Sequence, residues 1–340
     1  MKKAASLIAI LIAMILSVPV CAAQEKHTAD FFAMDTHISI TAYANDAGPA
    51  LEEAQALLKE REQIWSVTLD SSEISAVNRA NGAEVSVSAA TADILQYALE
   101  MAEITGGAYD PTIYPLVSAW GFTTGNYRIP AQDEIAQKLQ LIDYGAVSVR
   151  EDRVKLAAGM QMDLGGIAKG YAGDELSRLL KQRGVHSAML SLGGNIHVIG
   201  GKLDGSAWRI GVKSPMDDSL IGVLSVRDRC VITSGAYERY FMDENQRRYG
   251  HIIDPDTGYP ADNGVLSVTV VGTEGAKCDA LSTALFVMGV NDACGLWASR
   301  DDFDMIVLTD DGVLYVTEGI ADSLEVKDSA LIGEVCVVER

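Results

Sequence analysis

Basic residues are scarce in this chain: 27 Lys and Arg stand against 47 Asp and Glu in 340 residues, a formal charge of −20. A field of that sign repels nucleic acid, because no basic patch is available to release counterions from phosphates. It repels a free dinucleotide too, so any phosphate ligand has to be held locally, by a helix N-terminus, backbone N–H groups or a divalent cation. Neither a Walker A run nor a G-x-G-x-x-G fingerprint is present, which removes the P-loop and Rossmann readings. Cysteine is sparse as well, five in all, and their spacings fit no zinc pattern. Cys230, Cys278, Cys294 and Cys336 each sit in an apolar run and read as buried thiols, with disulfides open in an oxidising compartment. No internal repeat, low-complexity tract or Pro/Ser-rich linker divides the chain. Past the amino terminus, no apolar stretch is expected to reach spanning length.

What is present begins with an address. Met1-Lys2-Lys3 is positive, Ala4 to Val20 carries no charge, and Cys21-Ala22-Ala23 offers small residues for cleavage before Gln24. Residues 1–23 are read as a signal peptide and 24–340 as one catalytic unit. The expected location is the periplasm, with an uncleaved membrane anchor or acylation of Cys21 as alternatives. With 48% hydrophobic residues, the remainder can bury a sizeable core.

Periodicity then sorts the chain. Ala33 to Ala42 alternates like a strand, and Ala50 to Trp65 has helical spacing. Ser72 to Asn78 reads as a loop, Thr91 to Thr105 and Pro130 to Ile142 as helices, and Val147 to Leu156 as a hairpin. Tyr171 to Gly184 is a helix, and Ser187 to Ile199 a strand that Gly193-Gly194 interrupts. Strands follow at Trp208–Val212, Gly222–Val226, Cys230–Thr233, Arg248–Ile253 and Val265–Val271. Helices at Asp279–Met288 and Asn291–Ser299 precede closing strands at Met305–Leu308 and Val313–Val316. Local hairpins rather than strict βαβ order point to an α+β fold of mixed sheets with flanking helices.

Three segments carry candidate chemistry. In Asp163-Leu-Gly-Gly166-Ile-Ala-Lys169-Gly170-Tyr171, a glycine turn runs into a helix, where free N–H groups and a lysine suit an anion; a plain strand-to-helix turn is the alternative. Asp279 and Thr283 are i, i+4 neighbours, so a carboxylate and a hydroxyl share one helix face. Two hard oxygens suit Mg²⁺ better than Zn²⁺, although Asp279 could equally cap its own helix. His251 precedes the turn signal Asp254-Pro-Asp-Thr-Gly258 and reads either as a proton acceptor or as a structural histidine.

Taken in order, these segments resemble the ApbE family of FAD:protein FMN transferases, whose fold is related to the T-fold. The resemblance rests on Met34-Asp-Thr-His37, Ser72 to Asn78, Gly107-Ala-Tyr-Asp-Pro-Thr112, Asp163 to Tyr171, Leu192-Gly-Gly-Asn195, Thr233-Ser-Gly235, His251 to Pro255 with Thr257-Gly258, and Asp279 to Thr283. It implies FAD contacts at Met34, Ala108, Tyr109, Asp110, Asp163, Lys169 and His251. It implies magnesium ligands at Asp279, Thr283 and the backbone carbonyl at Gly166, with His251 as proton acceptor and Asp279 essential to catalysis. The implied reaction is magnesium-dependent transfer of FMN from FAD, through a phosphoester, to a Thr or Ser of an acceptor flavoprotein, releasing AMP. Family acceptors carry Asp-Gly-x-Ser/Thr-Gly-Ala-Ser/Thr, which this chain lacks, and belong to redox-driven membrane pumps. A periplasmic FAD-binding protein, or a pyrophosphatase that splits FAD to FMN and AMP, would use the same pocket.

Overall fold

A computed structural model describes residues 24–217, 219–327 and 330–340; the expected signal peptide, Cys21 included, lies outside the described residues. Nine strands form one sheet: β1 (Glu25–Ala33), β2 (Thr36–Ala44), β3 (Ser187–Leu192), β4 (Asn195–Ile199), β5 (Cys230–Gly235), β6 (Val265–Gly272), β7 (Phe303–Thr309), β8 (Val313–Thr317) and β9 (Glu334–Val338). Their order in space follows their order in the chain. Neighbours pair antiparallel throughout, except that β9 lies parallel to β8.

Side-chain alternation gives this sheet two apolar faces, so its central strands read as nearly continuous apolar runs. Cys230, Ile232, Met305 and Val307 enter the core under four long helices, α1 (Gly48–Trp65), α2 (Ala89–Ile104), α3 (Ala168–Gln182) and α4 (Gly275–Ala298). Val231, Ile306 and Leu308 enter a second core, covered by a three-stranded sheet of Trp208–Lys213, Leu220–Val226 and Leu324–Val326. A third, smaller cluster of Leu116, Trp120, Phe122, Ile135 and Ile253 supports the ribbon Tyr240–Met242/Arg248–Gly250. Strands and helices are mixed as the α+β expectation requires.

Several local expectations change. The strand expected from Ala33 to Ala42 is the corner of a hairpin: the chain reverses at Met34 (φ 52°) and Asp35 (φ 58°), and β1 precedes it. A two-residue turn with both residues left-handed ordinarily asks for Asn-Gly, so the Met-Asp pair gave no turn signal. At Gly193-Gly194 the glycines, both at positive φ, reverse the chain between β3 and β4 rather than interrupt one strand. Ser72 to Asn78 is not a loop but the helix Glu73–Arg79, capped by Ser72 Oγ, which accepts from Ser75 N at 3.0 Å. The two expected carboxyl-side helices are the two halves of α4, which breaks between them at Gly289 (φ 77°, ψ 172°), and the first begins earlier than expected, at Gly275.

Contrary to expectation, α4 is long and apolar enough to cross a membrane. It lies instead against β5 and β6 in the helix-side core, where Leu281, Leu285 and Phe286 are buried. Each such side chain contributes about 1.5–3 kcal/mol of burial.

Candidate active site

The early start of α4 changes the meaning of Asp279. The helix is entered at Glu274, so Asp279 lies in its second turn and cannot be its N-cap. Its Oδ2 reaches across to α3 and accepts the Gly170 N–H at 2.8 Å. Oδ1 makes no hydrogen bond among the described residues. In return, Asp174 of α3 accepts from Gly275 N at 2.7 Å and Ala276 N at 2.9 Å, the first N–H groups of α4. Each helix thus supplies a carboxylate to the other's backbone.

Glycine makes this crossing possible. A Cβ on Gly170 would fall 2.2 Å from the Gly275 carbonyl oxygen and 2.6 Å from Asp279 Cβ. Gly165, Gly166 and Gly170 all avoid positive φ, so close approach rather than a left-handed backbone is the reason for glycine here. At Gly166 a Cβ would lie 3.1 Å from Tyr109 Cε2 and 3.5 Å from Thr283 Oγ1. The backbone at Gly166, the Thr283 hydroxyl, Tyr109 and Asp279 therefore come together from three separate segments.

Tyr109 is buried, and its hydroxyl has no partner among the described residues. Burial, then the charges of Asp279, Asp163 and Asp110, push its pKa well above the ordinary phenol value, so it stays a neutral donor. An unpaired buried hydroxyl in the field of three carboxylates asks for a ligand, and a carboxylate, a hydroxyl and a carbonyl form an all-oxygen donor set suited to Mg²⁺. On this chemistry the residues present fit a magnesium ion and a diphosphate.

The Asp163 loop is held from two sides. Asn78, a residue the site assignment omitted, donates Nδ2 to the Met162 carbonyl at 2.9 Å and accepts Met162 N at 2.6 Å. Asp163 N donates to the Pro111 carbonyl at 2.8 Å, and Asp163 Oδ1 accepts Gly165 N at 2.8 Å. Burial raises the Asp163 carboxyl; the Gly165 N–H, Lys169 and Arg239 act against that. Lys169 Nζ donates to the Gly165 carbonyl at 3.5 Å and places its charge near Asp163, Glu238 and His251.

Asp110 behaves differently from the other expected contacts. Its Oδ1 accepts both Thr112 N and Thr112 Oγ1 at 2.7 Å, and Oδ2 accepts Tyr144 N at 3.2 Å. The carboxylate is turned into its own loop, which positions half-buried Ala108 and buried Tyr109. Met34 is fixed through its backbone, its N–H donating to Glu62 Oε1 at 2.8 Å. Its neighbour Asp35 pairs with Arg239 at 3.0 Å, tying the β1–β2 turn to the ribbon that ends at His251.

His251 follows that ribbon directly. Its Nδ1 lies 3.1 Å from the Arg239 carbonyl, and its ring stands edge-on to Phe122. A carbonyl can only accept, so Nδ1 holds the proton and Nε2 keeps its lone pair. Burial pushes its pKa down to about 4, and the nearby Arg239 and Lys169 cations push the same way. The imidazole is therefore neutral, the form a proton acceptor needs. The following turn closes as expected: Asp254 Oδ1 accepts Asp256 N, and Trp120 Nε1 donates to the Gly258 carbonyl at 2.9 Å.

Residues 34–307 match the ApbE family model. The chain belongs to the ApbE family. With that membership it is a transferase. Among its ApbE relatives, the FAD:protein FMN transferase of Treponema pallidum is 36% identical over 310 residues, 86% of this chain and 85% of that protein. The FAD:protein FMN transferase of Klebsiella pneumoniae is 35% identical over 282 residues, 81% and 87% of the two chains. Of solved ApbE structures, the Thermotoga maritima protein superposes with a TM-score of 0.78 at 33% identity, covering 89% of this chain and 97% of its own. The apo Pseudomonas stutzeri flavinyl transferase gives 0.77 at 27% identity, over 85% and 92%.

Proposed function

We propose that this chain is an FAD:protein FMN transferase that moves the FMN half of FAD onto a Thr or Ser hydroxyl of an acceptor flavoprotein and releases AMP. The observation that carries the reading is the meeting of Asp279, Thr283 and the Gly166 backbone beside the unpaired Tyr109 hydroxyl. Asp279, Thr283 and the Gly166 carbonyl would hold Mg²⁺, which supplies charge neutralisation of the diphosphate.

The chain's own residues supply the rest. Asp279 is fixed by the Gly170 N–H, so one oxygen stays free without a rearrangement. Tyr109 donates to a phosphate oxygen, and Lys169 adds the cation that an otherwise acidic surface lacks. Met34 and Ala108 border the flavin, while Asp110 and Asp163 set the loops around it. Nε2 of His251 accepts the proton of the incoming hydroxyl as its oxygen attacks the phosphorus on the FMN side, and the bond to the AMP oxygen breaks. Positioning accounts for most of the rate, because phosphoryl transfer asks for little covalent help. Export to the periplasm, with attachment to the inner membrane open, and an acceptor from a redox-driven membrane pump complete the proposal.

The test is direct. The protein is incubated with FAD, Mg²⁺ and an acceptor domain carrying Asp-Gly-x-Ser/Thr-Gly-Ala-Ser/Thr, and acceptor mass and AMP are measured. An FMN adduct with matching AMP is expected. AMP without adduct would make the chain a pyrophosphatase, and neither product would overturn the assignment.

A further inference from the structure

Behind the α3–α4 crossing lies a second group of donors that the transfer chemistry does not use. His197 of β4 and Cys230 of β5 are direct cross-strand partners, so their side chains emerge side by side on the helix-facing surface. Asp174 of α3 comes down onto them. One donor atom from each of the three lies within 4.8 Å of the others. His197 Nδ1 is 3.3 Å from Cys230 Sγ and 3.7 Å from Asp174 Oδ1.

The histidine ring has no freedom to turn away. A Cβ on Gly173 would fall 2.1 Å from its Nε2, and one on Gly275 would fall 2.1 Å from its Cε1. Both helix backbones therefore press on the ring. Nε2 has no partner, which leaves Nδ1 as the nitrogen directed at the thiol and the carboxylate. The Cys230 S–H can donate to Nδ1 at that distance, the position a metal would take.

We propose that Asp174, His197 and Cys230 form a zinc site, separate from the Asp279–Thr283 cluster. A mixed sulfur, nitrogen and oxygen set selects Zn²⁺ over the hard cations that all-oxygen sites take. Charge closes as well: one thiolate, one carboxylate and a neutral imidazole balance a divalent ion, as a buried site demands. Binding forms a sulfur–zinc bond, and the thiol proton leaves to solvent. Zinc here ties α3 to β4 and β5 directly beneath the first turn of α4, and so supports the crossing that holds Asp279. The role is structural.

Cobalt is the probe, because thiolate-to-cobalt charge transfer reports sulfur ligation and the Asp279 cluster contains no sulfur. The chelator-treated full chain is titrated with Co²⁺, then with Zn²⁺. One equivalent of Co²⁺ should produce the near-ultraviolet thiolate band, one equivalent of Zn²⁺ should abolish it, and saturating Mg²⁺ should not. Cys230→Ser should lose the band, whereas Asp279→Ala should keep it. No thiolate band in the unsubstituted protein overturns the site whether or not the variants fold. A band that persists in Cys230→Ser assigns the sulfur elsewhere and also overturns it. Loss of transfer activity with the band intact would count against the proposed function and leave the zinc site standing.

Discussion

Asp279 and His251 serve the same proposed reaction, yet they are held by very different means. Asp279 is 4% exposed, sits in the second turn of α4 and bonds to the backbone of a second helix at a contact only glycine permits. His251 is half-buried at the end of a ribbon of two three-residue strands, whose Tyr240 and Met242 are exposed. Such a ribbon is marginal without outside support. Its support is the Trp120–Phe122 cluster and an exposed Arg239–Asp35 pair. The contrast teaches that the Asp279 carboxylate is set in advance by packing, while the segment that carries His251 rests on weaker support and has room to adjust.

That contrast can be broken at either end. Asp279→Ala should have the largest effect, lowering transfer by on the order of 10³-fold and removing its magnesium dependence, as initial rates against Mg²⁺ concentration will show. Unchanged turnover would refute the assignment. His251→Ala should lower transfer about 10²-fold while FAD binding, followed by flavin fluorescence, stays intact. Wild-type transfer in that variant would remove the base.

Gly170→Ala tests preset packing. Its methyl must force α3 from α4, so thermal unfolding should report a loss of about 1–3 kcal/mol together with weaker metal binding. Acid sensitivity is the next effect. His251 is held near 4, below the ordinary 6.5, so its folded form binds fewer protons than the unfolded chain. Stability is full above 6.5 and falls as pH drops through that value toward about 4. His251→Gln should recover on the order of 1 kcal/mol of that loss near pH 5 in denaturant titrations. Arg239→Ala should be smallest: an exposed pair is worth less than about 1 kcal/mol, so stability should hold while the KM for FAD rises a few-fold. A larger effect on stability than Gly170→Ala would reverse the comparison.

Much of this was legible in residue order. Helical spacing located α1 and α2, and alternation located most strands. The i, i+4 reading of Asp279 and Thr283 put both side chains on the helix face that meets Gly170 and Gly166. What stayed hidden depended on contacts distant in sequence. Nothing local distinguishes Asp279 as an N-cap from Asp279 as the partner of Gly170, because α3 and α4 are about a hundred residues apart. The left-handed Met34-Asp35 turn lacks Asn and Gly, so periodicity ran straight through it. Asn78 reads as an ordinary polar residue until the Met162 backbone is seen against it. Asp174 and His197 gave no signal either, because strand pairing brings Cys230 to them.

The sequential order of the nine strands sets where the molecule can be attached. β1 is one edge of the sheet and β9 the other, so the described chain enters and leaves on opposite flanks, eight spacings or about 38 Å apart. The Met34 turn lies at the far end of β1 from Glu25, nine residues or about 30 Å along. Any tether placed before Glu25 therefore holds the Met34 turn a strand's length away from its anchoring point, and a carboxyl-terminal fusion leaves from the opposite edge of the sheet.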